Sequence, residues 1–457
     1  MVKNIPEEII QIHNKVKSTG FEIYFVGGCV RDLILKKSVK DWDFATNAKP
    51  EEILKIFPDG FYDNKFGTVG IPIEIKNQQQ VVEITTYRTE QAYEDHRHPT
   101  IVEWGKSIEE DLARRDFTIN AIAMRLATSH QPLAISLVDP YEGQEDIKEK
   151  LIRAVGNPDE RFLEDALRLI RAIRFSTQLS FKIEDKTWKE VKKNSQLIAK
   201  ISEERVRDEL LKILASNFPH EGIVLLKESG LLNFIIPELL EGEDVSQARP
   251  GRHHTDDVLT HNLMSLKHCP SKDPIVRFAA LIHDVAKPKV KGADEKGLVI
   301  FYNHETVGAK IARDICERLK FSKKDRTRVV NLIRWHMFTV DEHITDAAVR
   351  RFIRRVGVEN VKDLVDLRIG DRLGGGTQTA ESWRLKLFKK RVEDQLKPKP
   401  FSIEDMAING NDVMKELDIL PSKKVGEILE KLFEEVDEDL SKNNKEYLIR
   451  RIKELGN

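Results

Sequence analysis

Apolar positions along the first half of the chain change period several times, and each change predicts an element. Between Pro6 and Gly20, the residues Ile9, Ile10, Ile12 and Val16 fall on roughly one side of a 3.6-residue repeat, so an amphipathic helix is expected over 6–20. Ile23 to Val26 is an unbroken apolar run that breaks at Gly27-Gly28 and resumes as a helix carrying Arg31. If Lys40-Asp41-Trp42-Asp43-Phe44 is a strand, alternation puts Asp41 and Asp43 on one face. A turn from Thr46 leads into a helix start with Pro50 in its first turn. Phe66 to Ile75 and Val81 to Tyr87 read as strands, Glu83 alternating with apolar neighbours. The polar stretch from Arg88 to Pro99, with Tyr93, Asp95 and Arg97, shows no clear period and reads as a loop. Further on, Leu163, Leu167, Ile170 and Ile173 recur at helical spacing, and 181–240 reads as amphipathic helices with a stop at Gly230. Strands mixed with helices first, then helices alone, describe an α+β chain: a mixed-sheet head followed by a helical remainder.

Composition narrows this only a little. The 457 residues suffice for two to four domains. A charged fraction of 33% beside 40% hydrophobic residues describes an ordinary globular chain. No apolar run is long enough to span a membrane, and Met1 to Pro6 lacks a signal-peptide core. Cys29, Cys269 and Cys316 are scattered without zinc spacing, which fits a reducing cytoplasm. The net charge of −1 means that any nucleic acid must be held by local basic patches.

The candidate chemistry is concentrated in a few stretches. Asp41 and Asp43 are the pair of carboxylates that a divalent cation bridging triphosphate oxygens requires, and Gly27-Gly28 lets backbone N–H groups approach phosphates. In Glu109–Ala121, adjacent Arg114 and Arg115 stand beside Asp116 and Asn120: cations for phosphate, an acid and an amide for sugar hydroxyls. A charged helix face with local ion pairs accounts for the same segment. Asp165 and Arg168, at i and i+3, share a helix face. A carboxylate beside a guanidinium matches the Watson–Crick edge of C or A, whereas U or G presents the reversed order. An intrahelical ion pair is the plainer account.

Gly27-Gly28-Cys29-Val30-Arg31-Asp32 with Asp41-Trp42-Asp43, and Arg114 to Ala121, resemble the first two motifs of class II tRNA nucleotidyltransferases and bacterial poly(A) polymerases. Asp139 to Asp146 is similar to the family's third motif, Glu164-Asp165-Ala166-Leu167-Arg168 to its Glu-Asp-x-x-Arg motif, and Ile201 to Leu210 to its fifth. The resemblance implies a polymerase-β-like nucleotidyltransferase head. Asp41 and Asp43 would hold catalytic Mg²⁺, with Glu83 a candidate third carboxylate. Gly27, Gly28, Arg31, Arg114, Arg115, Asp116 and Asn120 would contact the nucleotide. Asp165 and Arg168 would select CTP and ATP, with Glu164, Arg171 and Arg174 nearby. Arg88, Tyr93, Asp95 and Arg97 would belong to the flexible loop.

Beyond the linker-like stretch 241–252, histidines become frequent. His261, His283-Asp284, His304, His336 and Asp371, spread over about 110 positions, resemble an HD domain. Imidazoles with carboxylates suit Mn, Ni, Fe or Zn, and the two extra histidines could take a second ion. Two basic runs, Arg350–Arg355 and Lys386–Arg391, fit either RNA backbone contact or amphipathic helices. Gly374-Gly375-Gly376 reads as a flexible break, and the tail from Phe401 is similar to that of CCA-adding members, where it meets the tRNA elbow. The expected division is a head over 1–136, a neck and body over 137–245, an HD domain over 253–375 and a tail over 376–457. The implied function is addition of C, C and A to tRNA 3′ ends from CTP and ATP, with no membrane partner. An A-adding or CC-adding enzyme, a poly(A) polymerase, or chiefly an HD phosphohydrolase acting on RNA ends are the alternatives.

Overall fold

The computed structural model describes residues 5–63, 67–75, 77–93, 99–127, 134–248, 257–338, 343–377, 379–396 and 402–456. The chain divides into two compact units. Unit 1 comprises Met1–Glu243 with Asp314–Ser322, and unit 2 comprises Asp244–Arg313 with Lys323–Asn457.

Unit 1 begins with helix α1 (Glu7–Ser18), whose Ile9, Ile10, Ile12 and Val16 are all buried, as the periodicity predicted. Strand β1 (Ile23–Val26) is buried at every position, which suits its aromatic and β-branched residues. The chain then turns through Gly27 (φ +73°) into α2 (Gly28–Ile34). A Cβ on Gly27 would also sit 2.9 Å from Nη1 of Arg115, the movable end of that side chain, so it is the left-handed backbone that favours glycine. Next come β2 (Asp43–Thr46), α3 (Pro50–Ile56), β3 (Phe61–Asp63), β4 (Thr68–Ile75) and β5 (Gln78–Thr86). The strand containing Asp43 thus starts at that residue, and Asp41 lies in a bend just before it.

The stretch expected as a loop is largely strand. β6 (Arg88–Tyr93) and β7 (Pro99–Trp104) pair antiparallel, Arg88 opposite Trp104 and Tyr93 opposite Pro99. Cross-strand hydrogen bonding supplies the order that side-chain periodicity did not advertise. Asp95 and Arg97 lie outside the described residues. After α4 (Ile108–Ala113), β8 (Ala123–Ala127) and β9 (Ala134–Val138) complete a seven-stranded sheet of order β3-β4-β5-β2-β1-β8-β9. Every neighbour in it is antiparallel except β2 and β5, which run parallel and set Asp43 opposite Glu83. One side of the centre packs Phe25 on Phe44 (4.5 Å between ring centroids), with His13 of α1 stacked on Phe25. The other side gathers Tyr24, Val26, Ala45, Tyr87, Leu112 and Ala121.

The rest of unit 1 is chiefly helical: α5 (Gly143–Glu149), α6 (Pro158–Glu164), α7 (Leu167–Leu179), α8 (Asp185–Lys193) and α9 (Glu203–Leu214). α10 (Pro219–Glu228), α11 (Leu232–Ile235) and α12 (Pro237–Leu240) follow. A two-stranded parallel ladder, β10 (Leu151–Ile152) with β11 (Lys182–Ile183), lies among them. The apolar repeat from Leu163 to Ile173 belongs to two helices, not one. Asp165 takes extended backbone (φ −138°, ψ 102°), and its Oδ1 accepts the Leu167 N–H at 3.0 Å, so it starts α7 rather than continuing α6. Leu163 is accordingly 41% exposed instead of joining the core.

Unit 2 is built on α13 (Val258–His268), α14 (Pro274–Ile282), α15 (Lys287–Val290), α16 (His304–Arg318, its last turn in unit 1), α17 (Lys323–Trp335), α18 (Asp346–Val356) and α19 (Val358–Gly374). The triple glycine is not simply a break. Gly374 is the last residue of α19, and a Cβ there would lie 2.5 Å from Ser265 Oγ; one on Gly370 would lie 2.6 Å from the Ser265 carbonyl. These glycines let α19 cross α13 at backbone distance. The basic runs are largely engaged internally. Arg350 and Arg354 both pair with Asp437 at 2.7 Å, Lys389 pairs with Glu381, and Phe352 and Phe388 pack on Phe338. The tail helices carry their own core, with Val413, Leu432, Val436, Leu448 and Ile452 fully buried. Among the described residues no helix is long and apolar enough to cross a membrane.

Candidate active site and metal centre

A cleft of about 1460 Å³ in unit 1 is lined by Asp41, Asp43, Glu83, Gly27, Gly28, Arg31, Arg88, Arg114, Arg115, Asp116, Asn120, Asp165, Arg168, Arg171 and Arg174. Sheet register is what brings Glu83 to Asp43: they are opposed on parallel strands although 40 positions apart in the chain. Burial pushes the Asp43 carboxyl up to about 6, Glu83 and Asp41 add to the rise, and Arg115 opposes it. Three acids gathered in this way outweigh the one cation that opposes the rise of Asp43, and oxygen-only donors of this kind match a hard divalent cation.

Opposite in sign to that corner is a chain of amide, acid and guanidinium groups. Arg31 donates to Asn120 Oδ1 at 2.8 Å, and Asn120 Nδ2 to Asp116 Oδ1 at 3.2 Å. Arg171 grips Asp116 Oδ2 with Nε at 2.8 Å and Nη2 at 2.5 Å. Burial would raise the Asp116 carboxyl, but the Arg171 guanidinium holds it well below the usual range. Arg174 pairs with Glu209 at 3.0 Å; burial, then the charge of Arg171, brings its guanidinium down to about 10. Both Arg114 and Arg115 are tied to buried Asp111, at 2.6 and 3.1 Å.

Asp165 and Arg168 line this cleft but do not pair with each other through the i, i+3 face expected of a continuous helix. Arg168 binds Glu164 at 2.6 Å and donates to the carbonyls of Arg161 (3.0 Å) and Arg114 (2.8 Å). Asp165 Oδ2 faces Arg205 of α9 at 3.1 Å. Two anchors on separate elements therefore hold a carboxylate acceptor and a guanidinium donor apart from one another. The residues that sequence reasoning did not single out are these anchors: Asp111, Arg205 and Glu209, with Phe175, over which the Arg174 guanidinium stacks at 4.1 Å. Asp111 was discoverable as an acid three and four residues before the arginine pair. Arg205 and Glu209 fall in the stretch likened to the fifth motif, but their pairing had no local signal, because their partners lie 40 and 35 positions away.

In unit 2 every histidine expected at the second centre converges on Asp284. Oδ2 of Asp284 is 3.3 Å from Nε2 of both His261 and His283, while Oδ1 is 3.4 Å from His304 and 3.8 Å from His336. Asp371 Oδ1 completes the first half at 3.3 Å from His261 and 3.7 Å from His283. Backbone carbonyls of Ala280, Phe301 and Ile333 lie within 2.9 Å of Nδ1 of His283, His304 and His336, which leaves each Nε2 lone pair aimed inward. Burial alone would lower the His283 imidazole, yet Asp284 and Asp371 raise it to about 10; burial and the charge of His283 push His336 down to about 3. The donor atoms of His261, His283 and Asp371, and likewise of His283, Asp284 and His336, lie within 4.8 Å of one another, a spacing that could hold a cation. Lys287 also contacts Asp284 at 2.5 Å.

Three family models match the chain: the poly A polymerase head domain over residues 23–153, the probable RNA and SrmB-binding site of polymerase A over 180–242, and the HD domain over 259–382. A CCA-adding enzyme of Ligilactobacillus salivarius is 33% identical across the whole of this chain and 98% of its own length. The chain belongs to the CCA-adding enzyme family. A second CCA-adding enzyme, from Geobacillus kaustophilus, is 43% identical over 50% of this chain and 54% of its own. Among solved structures, the Bacillus stearothermophilus CCA-adding enzyme in complex with CTP aligns with a TM-score of 0.68 at 27% identity, covering 98% of this chain and 96% of that one. The Thermotoga maritima CCA-adding enzyme complexed with tRNA shares the fold, at a TM-score of 0.59 and 19% identity over 99% and 97% of the two chains. Membership makes this chain a nucleotidyltransferase with an HD domain, and the families of both modules are metal-dependent.

Proposed function

We propose that this member adds C, C and A to tRNA 3′ ends from CTP and ATP, using its own side chains in place of a nucleic-acid template. The observation that carries the reading is that Asp41, Asp43 and Glu83 line the same cleft as Asp165 and Arg168. Asp41 and Asp43, with Glu83 as a third acid, would hold Mg²⁺, which when bound lowers the pKa of the tRNA 3′-hydroxyl and stabilises charge on the leaving pyrophosphate. That hydroxyl attacks the α-phosphorus, and the bond to the β-phosphate breaks. Arg31, Arg114 and Arg115 supply cations for the triphosphate, and Gly27 and Gly28 let the backbone approach it. Asp116 and Asn120 meet the ribose hydroxyls. Asp165 accepts from the exocyclic amino group of C or A, and Arg168 donates to the ring acceptor beside it. U and G offer the reverse order and leave both partners unsatisfied.

The four-part division into head (1–136), neck and body (137–245), HD domain (253–375) and tail (376–457) is retained in this proposal, the tail meeting the tRNA elbow. Arg88 and Tyr93 of β6, with Asp95 and Arg97, are assigned to the segment that separates A addition from arrest after two C residues. Three buried free thiols, Cys29, Cys269 and Cys316, fit a cytoplasmic chain. A second activity is favoured by the convergence of His261, His283, Asp284, His304, His336 and Asp371: phosphoester hydrolysis with Mn, Ni, Fe or Zn. The deciding experiment incubates the protein with tRNAs lacking CCA, ending in CC, or intact, with CTP, ATP or both. Stepwise growth to CCA and then arrest is expected. Addition of A alone, of CC alone, or of long A tracts would replace this proposal with one of the alternatives.

A further inference from the structure

Beside the HD centre, unit 2 holds a second pocket of about 500 Å³, within the range of roughly 300–1,000 Å³ typical of small-ligand sites. Its lining includes Met337, Phe338, Arg368, Arg372, Trp383 and Arg384, and no carboxylate among the described residues. Three guanidinium groups thus face one cavity, and cations so placed favour an anionic occupant. Arg368 joins this pocket to the HD centre, because its Nη1 donates to Asp371 at 2.9 Å. Arg372, one helical turn along α19, has its Nε buried with no hydrogen-bond partner among the described residues. The wall also offers flat aromatic surface. Trp383 is 58% exposed with the Arg384 guanidinium 5.3 Å from its ring, and Arg368 stands 5.9 Å from the ring of Phe338.

A ligand that satisfies both features has a planar ring and a phosphate. Base–aromatic stacking and guanidinium–phosphate pairing are the general means of holding a nucleotide. The geometry points to this pocket as the nucleotide subsite of the HD centre, taking a nucleoside monophosphate or the phosphate-bearing end of an RNA strand. The inference rests on the HD centre being a phosphohydrolase. The base lies on Trp383, Arg372 and Arg384 meet the phosphate, and Arg368 leads it toward Asp371. In the reaction, water adds to phosphorus, the bond from phosphorus to the ribose oxygen breaks, and that oxygen leaves as a hydroxyl with inorganic phosphate released.

The full-length protein, supplied with Mn²⁺ or Ni²⁺, is assayed on 3′-AMP, 5′-AMP, an oligoribonucleotide with a terminal phosphate, and β-glycerol phosphate, which has no ring to stack. Trp383→Ala is expected to lower the preference for nucleotide over β-glycerol phosphate, as a ratio of kcat/KM, by about tenfold, the size of one lost base–aromatic stack, whereas Arg372→Ala lowers kcat/KM on both phosphates alike. The mononucleotide and oligonucleotide arms tell which source of the phosphate is used. A ratio within twofold of wild type in Trp383→Ala overturns the subsite while leaving the hydrolase reading intact. Hydrolysis of none of the four by wild type removes the hydrolase reading, and a second measurement then decides the pocket. Photolabelling with 8-azidoadenosine 3′-monophosphate, followed by peptide mapping, is expected to mark the peptide containing Trp383, with protection by 3′-AMP and not by inorganic phosphate. Label confined to peptides of the head, or none, overturns the proposal.

Discussion

Asp116→Asn tests whether the cleft is held together by charge. The substitution keeps an amide oxygen for the Phe117 N–H (2.8 Å) and for Asn120, but removes the negative charge that Arg171 contacts twice. Asp116 is 9% exposed and Arg171 30% exposed at the side chain, so the pair lies mostly out of water. Breaking such a pair from one side costs about 3–5 kcal/mol, and the open edge at Arg171 argues for the lower figure, about 3 kcal/mol. For a unit of this size each kcal/mol moves the melting temperature by about 2–4 °C, so scanning calorimetry should place the unit 1 transition about 6–12 °C lower at pH 7. The pH dependence has a definite sign. Asp116 is depressed in the folded state, so its contribution is complete above the unfolded carboxyl value of about 3.9 and is lost as pH falls toward the depressed folded value. The gap between wild type and variant must therefore narrow below about pH 4. A melting temperature within about 1 °C of wild type at pH 7, or a gap independent of pH, would refute Arg171 as the charge partner that shapes this wall.

Four further outcomes are expected. Asp41→Ala should lower nucleotide incorporation by on the order of a thousandfold, since several kcal/mol of transition-state stabilisation depend on the bound cation, while filter binding finds tRNA affinity largely kept. Asp165→Ala should relax the choice among the four nucleotides more than it weakens triphosphate binding; retained preference for C and A in single-turnover assays would remove the template role. His283→Ala should leave CCA addition near wild type and abolish any metal-dependent phosphatase activity, and loss of both in parallel would contradict two separate centres. Because burial and its neighbours bring Asp43 to about 6, protons compete with a cation there. In a His261→Ala/His283→Ala background, Mn²⁺ affinity read by electron paramagnetic resonance should fall about fivefold from pH 6 to pH 5, and an affinity flat across that range would contradict it.

Much of this molecule was legible wherever the relevant neighbours are close in the chain. The stripe on α1, the stop at Gly27 and the start at Pro50 depend on periodicity and on backbone conformations local to a few residues, and they were read correctly. The order of histidines and aspartates in unit 2 was legible for a different reason: the ligands lie in or directly after successive helices, and only the residue types had to be recognised. Local pattern misled where hydrogen bonding outweighed side-chain period. Asp165 spends its carboxylate on the Leu167 N–H and splits one expected helix into two, and Arg88–Tyr93 is strand because it pairs with Pro99–Trp104.

What spacing alone determined is which side chains share a turn or a face; what tertiary structure decided is which charges meet. Arg168 chose Glu164, Asp165 chose Arg205, Arg171 chose Asp116 and Arg174 chose Glu209, although the local pattern offered Arg168 and Asp165 to one another. Parallel pairing of β2 with β5 likewise set Glu83 against Asp43. The physical reason is that a buried charge must be neutralised by whatever partner the packed backbone brings within reach, and with several acids and bases in one cleft only the fold ranks the competing pairs.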